Sequence, residues 1–240
     1  MKATNTTYNI QDSLQRMDNI LNSSNICEEK DYIPSRDTLT FTNGYYVNCC
    51  AIFVDICGSS DLTDAHTRPV LAKIYRCFIS ELVALFNGES SCKEVSINGD
   101  CVWGIFEITH EATINVMIDI AAKASSLIDI INYKLQKKGY QQIEVGIGVD
   151  YGRALMAKAG YKGSSINDVI WMGDVVNKAC HLCGYANKTA SDNRIMVSNV
   201  IYTRCKEEYK RFFSYNTNRG CYHGSIVNRN MNNMLKNNQL

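Results

Sequence analysis

Proline is nearly missing from this sequence, with two residues in 240. No apolar run approaches the roughly 20 residues that a membrane-spanning helix needs. An excess of either charge is missing too: 25 Lys and Arg stand against 24 Asp and Glu, a net +1. With 45% hydrophobic residues, the chain can bury enough apolar surface to offset its ordering entropy, which excludes a disordered polar chain. The even charge balance excludes a general nucleic-acid coat, which needs a basic excess to neutralise phosphates. The start, MKATNTTYNIQDSLQRMDNI, has no apolar stretch behind its lysine, so no secretory signal is expected. Cysteine, by contrast, is plentiful at eleven residues. The odd count, the length and the missing signal read as reduced thiols used as small apolar residues in a cytosol. The expectation is a soluble, cytoplasmic protein with no nucleic-acid partner and no membrane contact.

The length suits one domain with short appendages. Residues 1–38 read as an N-terminal helical and loop segment, 39–228 as the domain, and 229–240 as a flexible tail. Ile10, Leu14, Met17, Ile20 and Leu21 recur at helical spacing, and Asn22 to Asp37 is loop-like. A strand is expected over Tyr45–Ile56, continuously apolar from Cys49 to Val54 and so covered on both faces. Pro69 opens a helix marked by Leu71, Ile74, Phe78, Leu82 and Leu85. Asn98-Gly99 joins two β-rich runs, Lys93–Ile97 and Cys101–Ile108, as a hairpin. A long helix fits Glu111–Lys138. Ile143, Val145, Ile147 and Val149 alternate as a strand with one buried face, and Gly152 and Gly160 bracket a further short strand. Asp174–Ala186 reads as a helix, followed by a strand at Ile195–Ser198, a helix at Val200–Phe212 and a last strand near Ile226. This order gives an α+β fold, helices covering one face of a mostly antiparallel sheet.

Two aspartates stand at strand ends. Asp55 closes the most apolar strand, just ahead of Gly58-Ser59-Ser60, and Asp100 lies in the hairpin turn. Neighbouring strands would project both carboxylates from one end. Such a pair is a hard, oxygen-rich site for Mg²⁺ or Mn²⁺, bound through carboxylates and substrate phosphates. The Gly58–Ser60 backbone offers N–H groups to phosphate oxygens. Taken singly, each aspartate is also an ordinary turn former or helix cap.

The run Ala51-Ile-Phe-Val-Asp55-Ile-Cys-Gly58-Ser-Ser60 resembles the first metal-binding strand and phosphate loop of class III nucleotidyl cyclases. Ser96-Ile-Asn-Gly99-Asp100 resembles their second metal site. Val145-Gly-Ile-Gly-Val-Asp-Tyr-Gly152-Arg153 resembles the later strand whose arginine contacts the triphosphate. Trp171-Met-Gly173-Asp174-Val-Val-Asn177-Lys-Ala179 resembles the helix entry that carries the family's asparagine. The resemblance runs from about Tyr45 to Val227, with four motifs in the family's order. It implies a homodimer with active sites at the subunit interface, and two divalent metal ions (Mn²⁺ or Mg²⁺) held by Asp55, Asp100 and the Ile56 carbonyl. One chain is expected to supply Asp55, Asp100 and Arg153; its partner supplies Asn177 and the base pocket.

Departures from the family narrow the substrate. Ser96 stands where purine-specific members carry a lysine, and Ile170 where they carry an acidic or polar reader. A hydroxyl and an alkyl group cannot make those hydrogen bonds, so purine discrimination is lost. The pattern is closer to the pyrimidine cyclases of Pycsar antiphage systems, which make cyclic UMP or cyclic CMP as messengers for a separate cyclic-nucleotide-gated effector protein. In that branch Tyr46 is the candidate contact to the smaller base, ahead of Tyr45, and UTP is favoured over CTP. His181 stands four residues after Asn177, where purine cyclases hold an arginine on the reacting phosphate; a solvent-facing helix position is the other reading. Two alternative functions remain open: a catalytically dead nucleotide-binding regulator, and a purine cyclase with an altered pocket. Cys180 and Cys183, with Cys221 and His223, have zinc-like spacing, but three-residue spacing within a helix favours two buried thiols.

Overall fold

The computed structural model describes residues 2–3, 5–109, 113–237 and 239. In chain order it contains helix α1 (Ile10–Leu21), strand β1 (Ile26–Lys30), a 3-10 turn (Arg36–Thr38), β2 (Asn43–Cys57), α2 (Ser59–Ala65), α3 (Arg68–Asn87), β3 (Cys92–Asn98), β4 (Cys101–Glu107) and α4 (Thr113–Lys137). There follow β5 (Glu144–Gly160), β6 (Asn167–Met172), α5 (Asp174–Tyr185), β7 (Ile195–Val197), α6 (Asn199–Arg204), α7 (Glu207–Lys210), β8 (Ser214–Asn216), β9 (Cys221–Gly224) and α8 (Arg229–Lys236). No helix among the described residues is long and apolar enough to cross a membrane.

The strands form one mixed sheet in the order β3-β4-β2-β5-β7-β9-β8, with β1 added beside β2 and β6 beside β5. Only β1·β2 and β5·β7 pair in parallel among the described residues; the other ladders are antiparallel. β2 is the centre, and its alternation sorts the core. Cys50, Ile52, Val54 and Ile56 face α3 and α4, where Ile74, Phe78, Leu82, Phe86, Ile118 and Ile128 are buried. Cys49, Ala51 and Phe53 face the other way, into a second core beneath Val175, Ala179 and Cys183 of α5. Helices therefore cover both faces of the sheet, which corrects the expectation of a one-sided layer.

Two glycines let α5 lie on the sheet. A Cβ on Gly148 would stand 2.1 Å from the Ala179 carbonyl oxygen and 2.2 Å from the Cys183 nitrogen. One on Gly146 would stand 2.2 Å from the Cys183 carbonyl oxygen. The alternating valines and isoleucines of β5 mark only the α4 face. The glycines between them are the second buried face, not a solvent face.

Other expectations change. The loop-like stretch before Asp37 contains β1. β4 pairs with β2 only over Cys49–Asp55, and β1 takes the open edge at Asn43–Val47. The short strand expected between Gly152 and Gly160 is the continuation of β5, and β6, absent from the sequence reading, pairs with it. The helix expected at Val200–Phe212 breaks at Cys205 into α6 and α7, and the last strand stops at Gly224. The segment read as a flexible tail holds α8. Asn228 caps it by accepting from the Met231 N–H, and the Asn228 N–H donates to Ser126 Oγ on α4 at 2.8 Å. The expected helix start at Glu111 lies outside the described residues. α1 forms as expected, but Ile10, Leu14, Met17, Ile20 and Leu21 are all exposed.

Candidate active site

Asp55 lies opposite Cys101 of β4 and Gly146 of β5, two residues before β2 ends. Asp100 follows Gly99, whose φ of 64° makes the left-handed turn that glycine adopts without cost. The β2·β4 ladder thus sets both carboxylates at one end of the sheet. Burial, and then the neighbouring Asp100 charge, push the Asp55 carboxyl upward; Lys188 and the Ile56 N–H oppose that shift. Asp100 also acts on Tyr75 of α3, whose phenol is raised chiefly by burial and is hydrogen-bonded to Ser59. Gly58, at φ 65°, turns the chain into α2, and its carbonyl accepts from the Asp61 N–H at 2.9 Å.

This donor set fits a divalent cation. Two hard carboxylates stand close enough for the Asp100 charge to act on Asp55, the like-charge strain that a bound cation relieves. No group of three or more His, Cys, Asp or Glu gathers for metal binding among the described residues. Further ligands would have to be backbone carbonyls such as that of Ile56, or oxygens of the substrate.

α5 crosses above this end. Cys183 is buried and donates from Sγ to the Gly146 carbonyl at 3.1 Å, whereas Cys180 is exposed. Only one of the two expected buried thiols is therefore buried. Cys221 donates to Met196 Sδ at 3.7 Å, and His223 Nδ1 accepts from the Asn193 N–H at 3.1 Å, so both are committed elsewhere. The outer face of α5 carries Asp174, Asn177, Lys178, His181 and Tyr185 along a shallow depression. Asn177 and His181 are both exposed there, with the His181 ring 6.5 Å from that of Tyr185.

Arg153 lies elsewhere. It pairs opposite Asn48, seven residues along β5 from the Gly146 rung of Asp55, which is roughly 23 Å at the usual strand rise. Its guanidinium carbon sits 3.7 Å from the Tyr46 ring centroid, and it forms a two-point pair with Glu29 of β1, Nε to Oε2 at 3.3 Å and Nη2 to Oε1. Tyr46 stands opposite Leu155 and Glu29, and Ile170 opposite Ala157. Residues 153, 155 and 157 alternate onto one face, so Tyr46, Arg153 and Ile170 share it.

Two expectations are thereby corrected. Arg153 does not join Asp55 and Asp100 of its own chain, because it occupies the far end of the same ladder. Ser96 does not join Tyr46 and Ile170: it lies opposite Trp103, which lies opposite Phe53, seven residues from Tyr46 on β2 and on the α5 face. The Phe53 and Trp103 rings stack there at 5.1 Å and 2°. Sequence reasoning missed Glu29, Tyr75 and Lys188. None carries a local motif, and each reaches its place only through pairing or packing of distant segments.

Sheet, carboxylate pair and helix entry together define a class. The model of the adenylate and guanylate cyclase catalytic domain matches residues 42–228, and the chain belongs to that family: it is a class III nucleotidyl cyclase. Its curated relatives include a uridylate cyclase of Gulbenkiania mobilis, 43% identical over 209 residues that cover 84% of this chain and 81% of the relative. Another, a uridylate cyclase of Treponema porcinum, is 36% identical over 86% of this chain and 72% of the relative. Among solved structures, a class III adenylyl cyclase-like ATP-binding protein from Pseudomonas aeruginosa superposes at a TM-score of 0.69 with 17% identity, over 93% of this chain and 48% of that one. The adenylyl cyclase CyaB from P. aeruginosa superposes at 0.61 with 15% identity, over 78% and 97%. At these identities the structures speak for the fold alone.

Proposed function

We propose that the chain converts a pyrimidine ribonucleoside triphosphate, UTP in preference to CTP, into its 3′,5′-cyclic monophosphate and pyrophosphate. The observation that carries this reading is the 43% identity with a uridylate cyclase across 84% of the chain. The site chemistry agrees with it. Ile170 offers no long polar group to a purine edge, and Tyr46, on the same face, offers a ring and a phenol suited to a smaller base.

A second copy of the chain completes the site. One copy brings Asp55, Asp100, the Ile56 carbonyl and the Gly58–Ser60 turn. The other brings exposed Asn177 and His181 on α5, with Tyr46, Ile170 and Arg153 as the candidate base and phosphate contacts. The register keeps Tyr46, Ile170 and Arg153 away from the carboxylates of their own chain; the family resemblance gives Asn177 and His181 to the partner.

The 3′-hydroxyl gives its proton to water, its oxygen bonds to the α-phosphorus, and the bond from that phosphorus to the β-phosphate oxygen breaks, releasing pyrophosphate. Mn²⁺ or Mg²⁺ at Asp55 and Asp100, when bound, supplies Lewis acidity to the 3′-hydroxyl and to the leaving phosphates. Asn177 positions the ribose, and His181, one turn on, faces the reacting phosphate. Arg153 clamps phosphate oxygens of the site that the partner's carboxylates hold, where its planar fork suits them. Positioning and electrostatics carry such a transfer. The cyclic product serves as a second messenger in antiphage defence, read by a separate cyclic-nucleotide-gated effector.

The test is incubation of the purified chain with all four ribonucleoside triphosphates and Mn²⁺, with products resolved by mass. Cyclic UMP as the main product is expected. Cyclic CMP alone moves the base assignment, and cyclic AMP or GMP overturns the reading of Ile170 and Tyr46. Absence of any cyclic pyrimidine sinks the proposal.

A further inference from the structure

Arg153 stands far from the carboxylates of its own chain. A cation that the fold brings near Asp55 is Lys188, in the connection from α5 to β7. That connection is pinned at its first residues. The Cys57 thiol reaches the Ala186 carbonyl at 3.7 Å, and Asn187 Nδ2 donates to Glu144 Oε2 at 2.8 Å. Asn187 takes a left-handed turn at φ 55°, and its N–H donates to the Asn193 carbonyl at 3.2 Å. Cys57 and Glu144 are opposite one another, two residues beyond the Asp55–Gly146 rung. Lys188 is the next residue after this anchor. It acts on Asp55 and Cys57 as an opposing positive charge. It is exposed and makes no ion pair among the described residues.

We propose that Lys188 contacts the β- and γ-phosphates of the nucleotide held at Asp55 and Asp100, and neutralises the pyrophosphate as it leaves. The proposal rests on the cyclase reading above. A triphosphate adds several negative charges beside two carboxylates, and a flexible ammonium on a fixed loop is a compact counter-charge for them. Its role is electrostatic: charge builds on the β-phosphate oxygen as its bond to the α-phosphorus breaks, and Lys188 keeps its proton throughout. The anchor at Asn187 holds the Lys188 backbone beside the carboxylate end, within the stem's reach of it.

The experiment compares the full wild-type chain with Lys188→Ala and Lys188→Arg. Calorimetry measures binding of inorganic pyrophosphate in the presence of Mn²⁺, and of Mn²⁺ alone. Loss of one charge-assisted contact should weaken pyrophosphate binding about tenfold in Lys188→Ala. Lys188→Arg should recover most of it. Mn²⁺ alone should bind Lys188→Ala at least as tightly as wild type, because a competing positive charge has gone. In turnover, kcat for the nucleotide should fall as well as KM rise, because the charge that Lys188 faces grows in the transition state. Unchanged pyrophosphate binding in Lys188→Ala, or weaker binding of Mn²⁺ alone, overturns the proposal; the second outcome makes Lys188 a support of the carboxylates. A wild-type chain that binds pyrophosphate through Lys188 yet cyclises no pyrimidine nucleotide sinks the substrate reading and leaves Lys188 in place. Normal cyclisation with Lys188-independent pyrophosphate binding sinks Lys188 alone.

Discussion

The two ends of the β2·β5 ladder are built differently. At the Asp55 end the strands are sandwiched, with α3 and α4 on one face and α5 on the other, and the Cβ-free rungs of Gly146 and Gly148 hold α5 tightly. At the Tyr46 end the same strands run on past the helices, edged by β1 and β6, and the groups of interest are solvent-facing. Arg153 and Glu29 keep about half or more of their side-chain surface exposed, at 53% and 67%. The dense end can hold carboxylates against their mutual repulsion. The open end can present a ring and a guanidinium to another molecule. The contrast implies that substitutions at the first end cost stability or all activity, and substitutions at the second cost mainly affinity.

The sharpest break is Asp55→Ala. Turnover should fall by at least about a thousandfold, since phosphoryl transfer rests on charge held in place. The variant should keep its fold by circular dichroism and melt no lower than wild type. Retained cyclisation would place the reacting centre elsewhere. The sign of the Asp55 shift supports the stability half. A carboxyl raised in the folded state binds its proton more tightly there than in the unfolded chain, so its contribution to stability declines as pH rises from the ordinary carboxylate range through the raised value. Asp55→Asn should remove that decline in a metal-free urea titration.

Mixing tests the division of labour between ends. Asp55→Ala and Asn177→Ala chains, each inactive alone, should together recover about a quarter of wild-type activity, because half of randomly paired dimers carry one intact site of two. No recovery would put both residues in one chain's site.

Gly148→Ala probes the dense end through packing. Its Cβ must displace α5 backbone, at a cost of about 1–3 kcal/mol typical of overpacking. A fall in the denaturation midpoint with unchanged slope is expected, together with lost activity as Asn177 and His181 shift. Acid should act near the same end. Asp192, held to about 2 by Arg219, Thr189 and Asn216, braces the loop that carries Lys188. A carboxyl lowered on folding stabilises above its unfolded value and loses that stabilisation as pH falls towards about 2. Up to about 2 kcal/mol is at stake, and Asp192→Asn should flatten the acid limb of stability against pH.

The smallest effect on stability belongs to the open end. Arg153→Ala should change unfolding free energy by no more than about 1 kcal/mol, as for other exposed pairs, while raising KM for the nucleotide. A large loss of stability would show that this end is a structural brace.

Much of this contrast is legible in the sequence alone. The apolar run Cys49–Val54 announced a strand covered on both sides, and Asn98-Gly99 announced the hairpin that carries Asp100. Helical spacing marked α3, whose Ile74, Phe78 and Leu82 are buried. The second helical layer was not legible, because Gly146 and Gly148 look like the polar half of an alternating strand when nothing shows what packs on them. β1 and β6 were missed for a related reason: Cys27-Glu-Glu-Lys30 has no strand-like pattern, and only the open edge of β2 makes a strand of it.

Asp55, Asp100 and the glycine turn beside them were fixed by local order: strand, turn and hairpin chemistry place them within a few residues of one another's ladder. What joins them was decided only by the tertiary structure. Arg153 is a motif neighbour of Gly152 in sequence but lies about 23 Å along the ladder from Asp55, whereas Lys188, in no motif, is carried there by Cys57, Glu144 and Asn187. Strand rise moves sequence neighbours of a motif steadily away from its business end, and long-range pairing brings unrelated residues back, so chain distance along a strand is the one quantity a motif cannot report.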